Sequence, residues 1–359
     1  MSFDPSYPHP LTLLPPEKAI SNTDFGDLLI KARVALAELK GACGQLPNPL
    51  LLTAPAVMRE SVASSNIENI NTTLAEVLQW QLFPESEQRQ PDKEVLRYRE
   101  ALLWGYEQLD KYPLCSRIIT GIQGRLIPEG SGVFRREQNR IMNTATRDSL
   151  YTPPPAQDIP QMISNWEQFV NAEDERIDPL IRAIIAHYQF EAVHPFRDGN
   201  GRTGRILLVL QLVQSKLLSM PVLYISGYIN HHRTDYYKHL LAVTTDGNWH
   251  NFINYMLRGF FSQAQSTHET LVDILKLYHR YKEKVRKENQ RIYSAELVDA
   301  IFTYPVLSPT RLATALDMHY TTTSRYLAQL AKTGILTEAM VGKYHLFANY
   351  RLMEILQKV

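Results

Sequence analysis

Twelve consecutive residues hold most of the chemistry this chain could perform: His194, Pro195, Phe196, Arg197, Asp198, Gly199, Asn200, Gly201, Arg202, Thr203, Gly204 and Arg205. His194 is the one group among them able to take a proton near neutral pH. Asp198 offers a hard oxygen to Mg²⁺, the usual companion of a polyphosphate. Arg202 and Arg205, three apart, fall on neighbouring positions of one helical turn, and both can reach phosphate oxygens. Gly199 and Gly201 let the backbone approach a ligand closely and adopt positive φ. The N–H groups that open the following helix, with its dipole, supply an anion site. Base, cation ligand and phosphate cradle thus occur in one turn between two apolar helical stretches, Leu180 to Val193 and Ile206 to Val213.

Two familiar nucleotide-binding folds are excluded. Gly199, Gly201 and Gly204 satisfy the dinucleotide spacing formally, but that motif follows a buried strand and needs an acid about 20 residues on. Here the preceding segment has helical periodicity, and Gln214–Leu223 contains no acid. No glycine-rich loop ending in Gly-Lys-Ser/Thr occurs anywhere in the chain.

The elements that must position this turn are helical. Apolar residues recur at three and four over Asp24–Leu39, Glu94–Leu109, Pro179–Val193, Arg205–Leu217 and Asn251–Phe261. Between Gly132 and Pro155 the pattern changes, and Phe134–Arg136, Arg140–Met142 and Leu150–Thr152 are predicted as short strands around a polar tip. With 359 residues the chain has room for two or three domains. Lys and Arg number 38 against 37 Asp and Glu, a formal charge of +1, which excludes binding to nucleic acid or anionic membrane through bulk charge. Apolar residues at 44% and charged residues at 21% exclude disorder as the main state. Cys43 and Cys115, the only cysteines, lie far apart and in no Cys/His cluster. That excludes a disulfide framework and a zinc ribbon and suits a reducing compartment. Met1–Lys18 lacks the pattern of a signal peptide, and no stretch approaches ~18 apolar residues, so the expectation is a soluble, cytoplasmic protein with no membrane contact.

The run from His194 to Arg205 resembles the signature of the Fic family, His-Pro-Phe-x-Asp-Gly-Asn-Gly-Arg-x-x-Arg, at every specified position. The resemblance extends to Gly-x-Phe-Arg at Gly132–Arg135, Tyr-x-Pro-Pro at Tyr151–Pro154 and the run from Tyr236 and Tyr237 to Trp249, covering about Leu46 to Phe261. It implies a mainly α fold that transfers AMP from ATP to a hydroxyl side chain of a protein. In that scheme His194 deprotonates a Ser, Thr or Tyr hydroxyl, which attacks the α-phosphate while pyrophosphate leaves. Phe196 anchors the loop, and Asp198 holds Mg²⁺ on the phosphates. Asn200 and the backbone at Gly199 and Gly201 form the anion cradle, and Arg202 and Arg205 neutralise the leaving phosphates. Phosphotransferase relatives carry Lys at the position of Gly201 and lack the second Arg, so Gly201 and Arg205 favour AMP transfer. Tyr236 and Tyr237 match aromatic positions beside the nucleoside, although core packing explains either one equally well. The 132–155 hairpin corresponds to a flap that holds the target by strand addition. Dimerisation, common in the family, is an expectation here too.

Ser64-x-x-x-Glu68-Asn69 lies in a polar helical stretch, Met58 to Asn71. It matches the inhibitory motif of Fic proteins, and its position resembles the class whose inhibitory helix is N-terminal. Glu68 would then pair with Arg205 and occupy the guanidinium that the γ-phosphate needs, with Ser64 steadying it. In some relatives this Glu also orients water to remove AMP.

The expected organisation is an N-terminal helical region (1–90), a Fic core (91–261), a connecting helix with a basic solvated face (262–290) and a terminal domain (291–359). The last reads as a winged helix-turn-helix: helices over Glu296–Phe302, from the Ser308 cap to Leu316 and over Tyr320–Thr333, then strands Ile335–Glu338 and Lys343–Phe347. Thr321, Thr322, Ser324, Arg325, Tyr326 and Gln329 are types able to meet DNA, but Arg325 and Lys332 are the only cations on that helix, so protein contact is as good a reading. The alternative functions are a DNA-binding regulator whose Fic domain senses nucleotide, or Glu68-dependent removal of AMP from modified protein.

Overall fold

A computed structural model describes residues 3–17, 20–44, 46, 48–130, 132–142, 146–173 and 176–358, with 50–52 described in backbone only. Helices dominate. An N-terminal set comprises α1 (Gly26–Cys43), α2 (Leu50–Ile67), α3 (Leu74–Trp80), α4 (Gln90–Gln108) and α5 (Ser116–Leu126). A two-stranded hairpin follows, β1 (Ile141–Met142) and β2 (Ser149–Tyr151), paired antiparallel with an irregular register. Then come α6 (Ile159–Val170), α7 (Pro179–Val193), α8 (Asn200–Gln214), α9 (Ile225–His231), α10 (Arg233–Asp246) and α11 (Trp249–Glu288). Among the described residues no helix is long and apolar enough to cross a membrane.

The centre of the core is the α7–α8 pair. Every residue of α7 from Leu180 to Val193 is buried, as is every residue of α8 from Arg202 to Leu212, so both helices are enclosed on nearly all sides. Asp178 caps α7 by accepting from the Leu180 N–H, and Pro179 takes the first helical position, where no N–H is needed. The helix stops at His194 because the residue before a proline is driven out of the α region. His194 turns left-handed (φ 47°), and its N–H still reaches the Phe190 carbonyl. Gly199 (φ 79°) makes the second left-handed turn, and α8 starts at once.

Of the predicted strands, Phe134–Arg136 does not form. The Arg135 N–H goes to the Pro195 carbonyl (2.9 Å) instead of to a strand partner, and its guanidinium spans the carbonyls of His194 (3.0 Å) and Pro154 (2.6 Å). The segment is thereby tied to the His194 loop. The polar tip, 143–145, lies outside the described residues. Residue 261, where the core was expected to end, falls inside the unbroken 40-residue α11, because neither Pro nor Gly occurs from Phe261 to Glu288.

The C-terminal portion contains α12 (Ala295–Thr303), β3 (Val306–Leu307), α13 (Pro309–Leu316), α14 (Tyr320–Lys332), β4 (Thr337–Val341), β5 (Tyr344–Ala348) and α15 (Tyr350–Gln357). The sheet order is β3-β5-β4, antiparallel throughout. Ser294 and Ser308 cap α12 and α13 as their types suggest, whereas β3 and α15 had no sequence expectation.

Candidate active site

The loop between α7 and α8 is rigidly built. Asn200 Oδ1 accepts from the Phe196 N–H and its Nδ2 donates to the Phe196 carbonyl, both at 2.8 Å. Asn139 Nδ2 donates to the same carbonyl (3.2 Å), and Gln123 Nε2 donates to the Asp198 carbonyl (3.2 Å). Phe196 is fully buried against Phe134, ring centroids 5.2 Å apart. The Asn200 side chain therefore shapes the loop through both of its polar atoms. Two buried neutral hydrogen bonds are worth about 1–3 kcal/mol together. Asn200→Ala is expected to lose that much stability, read as a lower denaturant midpoint.

His194 emerges from this frame half-buried, with Nδ1 buried and making no hydrogen bond. Burial pushes its pKa down to about 4. The ring is neutral at pH 7 and ready to accept a proton. Protonation of such a ring opposes folding, so its contribution to stability is present above pH 6.5 and fades as the pH falls toward about 4. An NMR titration of the His194 ring is expected to show its midpoint near about 4; a midpoint at 6.5 would mean an open, solvated imidazole.

Beside it, α8 presents its N-terminus. Arg205 is 1% exposed; its Nε donates to Ser64 Oγ (2.8 Å), and Nη2 donates to the Ser64 carbonyl (3.0 Å) and to Glu68 Oε1 (2.8 Å). The side chain of Glu68 is 35% exposed. Burial works to raise its pKa, but the Arg205 charge and hydrogen bond win and hold it below the usual carboxylate value. The carboxylate lies over the first turn of α8, for a Cβ built on Gly201 would sit 2.5 Å from Glu68 Oε1 and 3.0 Å from Arg205 Nη1. Only glycine admits both groups there. Arg202 pairs with Glu94 (3.1 Å) and leaves its buried Nε without a partner. Asn69, left-handed at φ 62°, accepts from Arg233 (3.1 Å).

Asp198 is exposed, and its Oδ1 accepts from the Gly199 N–H at 2.6 Å, leaving the second oxygen for a cation. Among the described residues no three acidic, His or Cys side chains converge on a point. One carboxylate suits Mg²⁺, which takes most of its ligands from phosphate and water, and does not suit a cation held wholly by protein.

The two tyrosines separate. Tyr236 is 2% exposed and hydrogen-bonded to His187 (2.8 Å), so it packs the core, while its neighbour Tyr237 is 43% exposed and faces the charges of Glu68 and Arg205. His187, behind them, is pushed down to about 3 by burial. Sequence reading missed Glu191. Burial pushes it up to about 7, and its Oε1 has no partner and presses against Gly204, where a Cβ would lie 2.2 Å away. Its position one turn before His194 was the only available signal.

A helical domain that frames a neutral histidine and a helix N-terminus in one glycine-rich loop, with a carboxylate from a second helix laid over that N-terminus, defines a Fic-type protein. The comparisons agree. Residues 27–107 match the Fic/DOC family N-terminal description, 113–212 match Fic/DOC family, and 277–352 match the C-terminal domain of protein adenylyltransferase SoFic-like proteins. The chain belongs to the Fic/DOC family. It is 34% identical over 128 residues to a probable protein adenylyltransferase of Aquifex aeolicus (strain VF5), covering 36% of this chain and 33% of that one. It is also 34% identical over 125 residues to protein adenylyltransferase fic-1 of Caenorhabditis elegans, covering 34% and 23%. The match thus spans a third or less of these relatives' own length. The fold is similar to that of a Fic family protein from Desulfovibrio desulfuricans G20, with a TM-score of 0.54 at 19% identity over 95% of this chain and 98% of that one.

Proposed function

We propose that the protein is a protein adenylyltransferase that moves AMP from ATP to a Ser, Thr or Tyr hydroxyl, itself included, and that Glu68 restrains it. The supporting observation is a single arrangement: a neutral imidazole and an anion-binding helix N-terminus share one loop, and the arginine of that helix already grips a carboxylate in place of a phosphate. His194 takes the hydroxyl proton at Nε2. The hydroxyl oxygen bonds to the α-phosphorus, the bond to the β-phosphate oxygen breaks, and pyrophosphate departs with its charge held by Arg205, Arg202 and the first N–H groups of α8. Mg²⁺ at Asp198 would offset phosphate charge. Tyr237 is the tyrosine open to a nucleoside.

Arg135 ties the 132–155 segment to the catalytic loop, so a target strand laid on the hairpin is registered against His194. Incorporation of label into protein from α-labelled ATP, with none from γ-labelled ATP, tests the reaction; the reverse pattern would mean phosphoryl transfer. A duplex-binding role for the terminal domain is less well supported, because Lys343, between the strands of its hairpin, already pairs with Glu87 (3.0 Å).

A further inference from the structure

The helix that carries Ser64 and is capped by Glu68 is closely covered: every residue of α2 from Pro55 to Ser65 is buried. Two separate surfaces cover it. On one side Val57 and Ile67 join the main core, Glu60 accepts from the Tyr98 hydroxyl (3.2 Å) and the Ser226 N–H (3.0 Å), and Ser64 holds Arg205. The other side carries Met58 and Val62. These enter a second apolar cluster whose far wall is Val306, Leu346, Ala348 and Met353 of the terminal domain. Next to them, Arg59 donates to the Lys358 carbonyl at 2.9 Å. The same domain holds the segment after α3: Tyr344 stacks on Phe83 with centroids 4.4 Å apart, and its hydroxyl donates to Glu87 at 2.9 Å.

We propose that the terminal domain is the clamp of the inhibitory helix. Its α12, β4–β5 hairpin and α15 hold α2 where Glu68 meets Arg205, so loosening the hairpin from Phe83 and Glu87 activates the enzyme. The inference rests on reading Glu68 as inhibitory. Met58 and Glu68 are ten residues apart, about 15 Å along a helix, so a tilt of a few degrees at the clamped end moves the carboxylate by about 1 Å. A 2.8 Å charge-assisted contact does not survive that shift. Leu346 and Met353 supply part of the apolar cover of Met58 and Val62, and its loss removes part of the burial that holds the helix in place.

Tyr344→Ala and Met353→Ala test the clamp from the terminal side, the first being the safeguard should the second fail to fold. Amide hydrogen exchange over residues 55–67 and incorporation of α-labelled ATP are measured together. The expected result is faster exchange in α2, labelling raised several-fold toward that of Glu68→Gly, and no further gain when Glu68→Gly is combined with Tyr344→Ala. Unchanged exchange overturns the proposal, as does faster exchange with wild-type labelling in a background where Glu68→Gly is active. Should Glu68→Gly itself raise nothing, the inhibitory reading falls and the clamp falls with it.

Discussion

His194→Ala is expected to reduce AMP transfer by about 10²–10⁴-fold, the usual cost of removing a general base. The fold should survive, because Nδ1 makes no hydrogen bond and the loop is held by Asn200, Asn139 and Arg135. The left-handed backbone at 194 (φ 47°) is the one complication, since alanine tolerates it less well than histidine or asparagine. His194→Asn therefore serves as a companion: it keeps the backbone preference, removes the base, and should be as inactive as the alanine variant at an unchanged melting temperature. Retained labelling in both variants would place the proton elsewhere. Glu191, pushed up to about 7, is the other group in the site that could carry it.

Glu68→Gly should raise self-modification. A hydrogen bond between charged groups is worth about 1.5–3 kcal/mol, or about ten- to hundredfold in an equilibrium at 1.4 kcal/mol per decade. A third of the Glu68 side chain is in water (35% exposed), so the lower end, about tenfold, is expected. The change itself is mild for folding, because Glu68 is the C-cap of α2, outside the helix proper. Glu68→Gln, which keeps the shape and loses the charge, should fall between wild type and the glycine variant. The sign with pH follows from the lowered carboxylate pKa: the restraint is intact above the ordinary carboxylate range and is lost as the pH falls through the depressed value. Across neutral pH it should not vary. Equal labelling of wild type and Glu68→Gly would refute the restraint.

The regular elements around the site were readable because their signals are local. The periodicity of Pro179–Val193 marks α7, and Ser308 caps α13 where its spacing says it should. The Phe134–Arg136 strand failed for a non-local reason. Its backbone partner is Pro195, some sixty positions on, and no alternation of residue types announces such a bond. The loop-shaping hydrogen bonds of Asn200 were hidden in the same way, since an amide in a phosphate-type loop reads as a ligand and its partner, Phe196, shows only in the fold. α15 escaped notice because an eight-residue segment at the chain end carries too few turns to show a period.

By itself the sequence determined the chemistry of the turn from His194 to Arg205, because base, cation ligand, glycines and arginines are contiguous and their spacing fixes which of them share a helical turn. Only the tertiary structure decided that Glu68 Oε1 lies 2.8 Å from Arg205 Nη2 across 137 positions of chain, that Tyr236 is core while Tyr237 is open, and that α2 is enclosed by the terminal domain. Those outcomes depend on how many weak apolar contacts add up around each helix. Residue type constrains that sum, but only packing completes it.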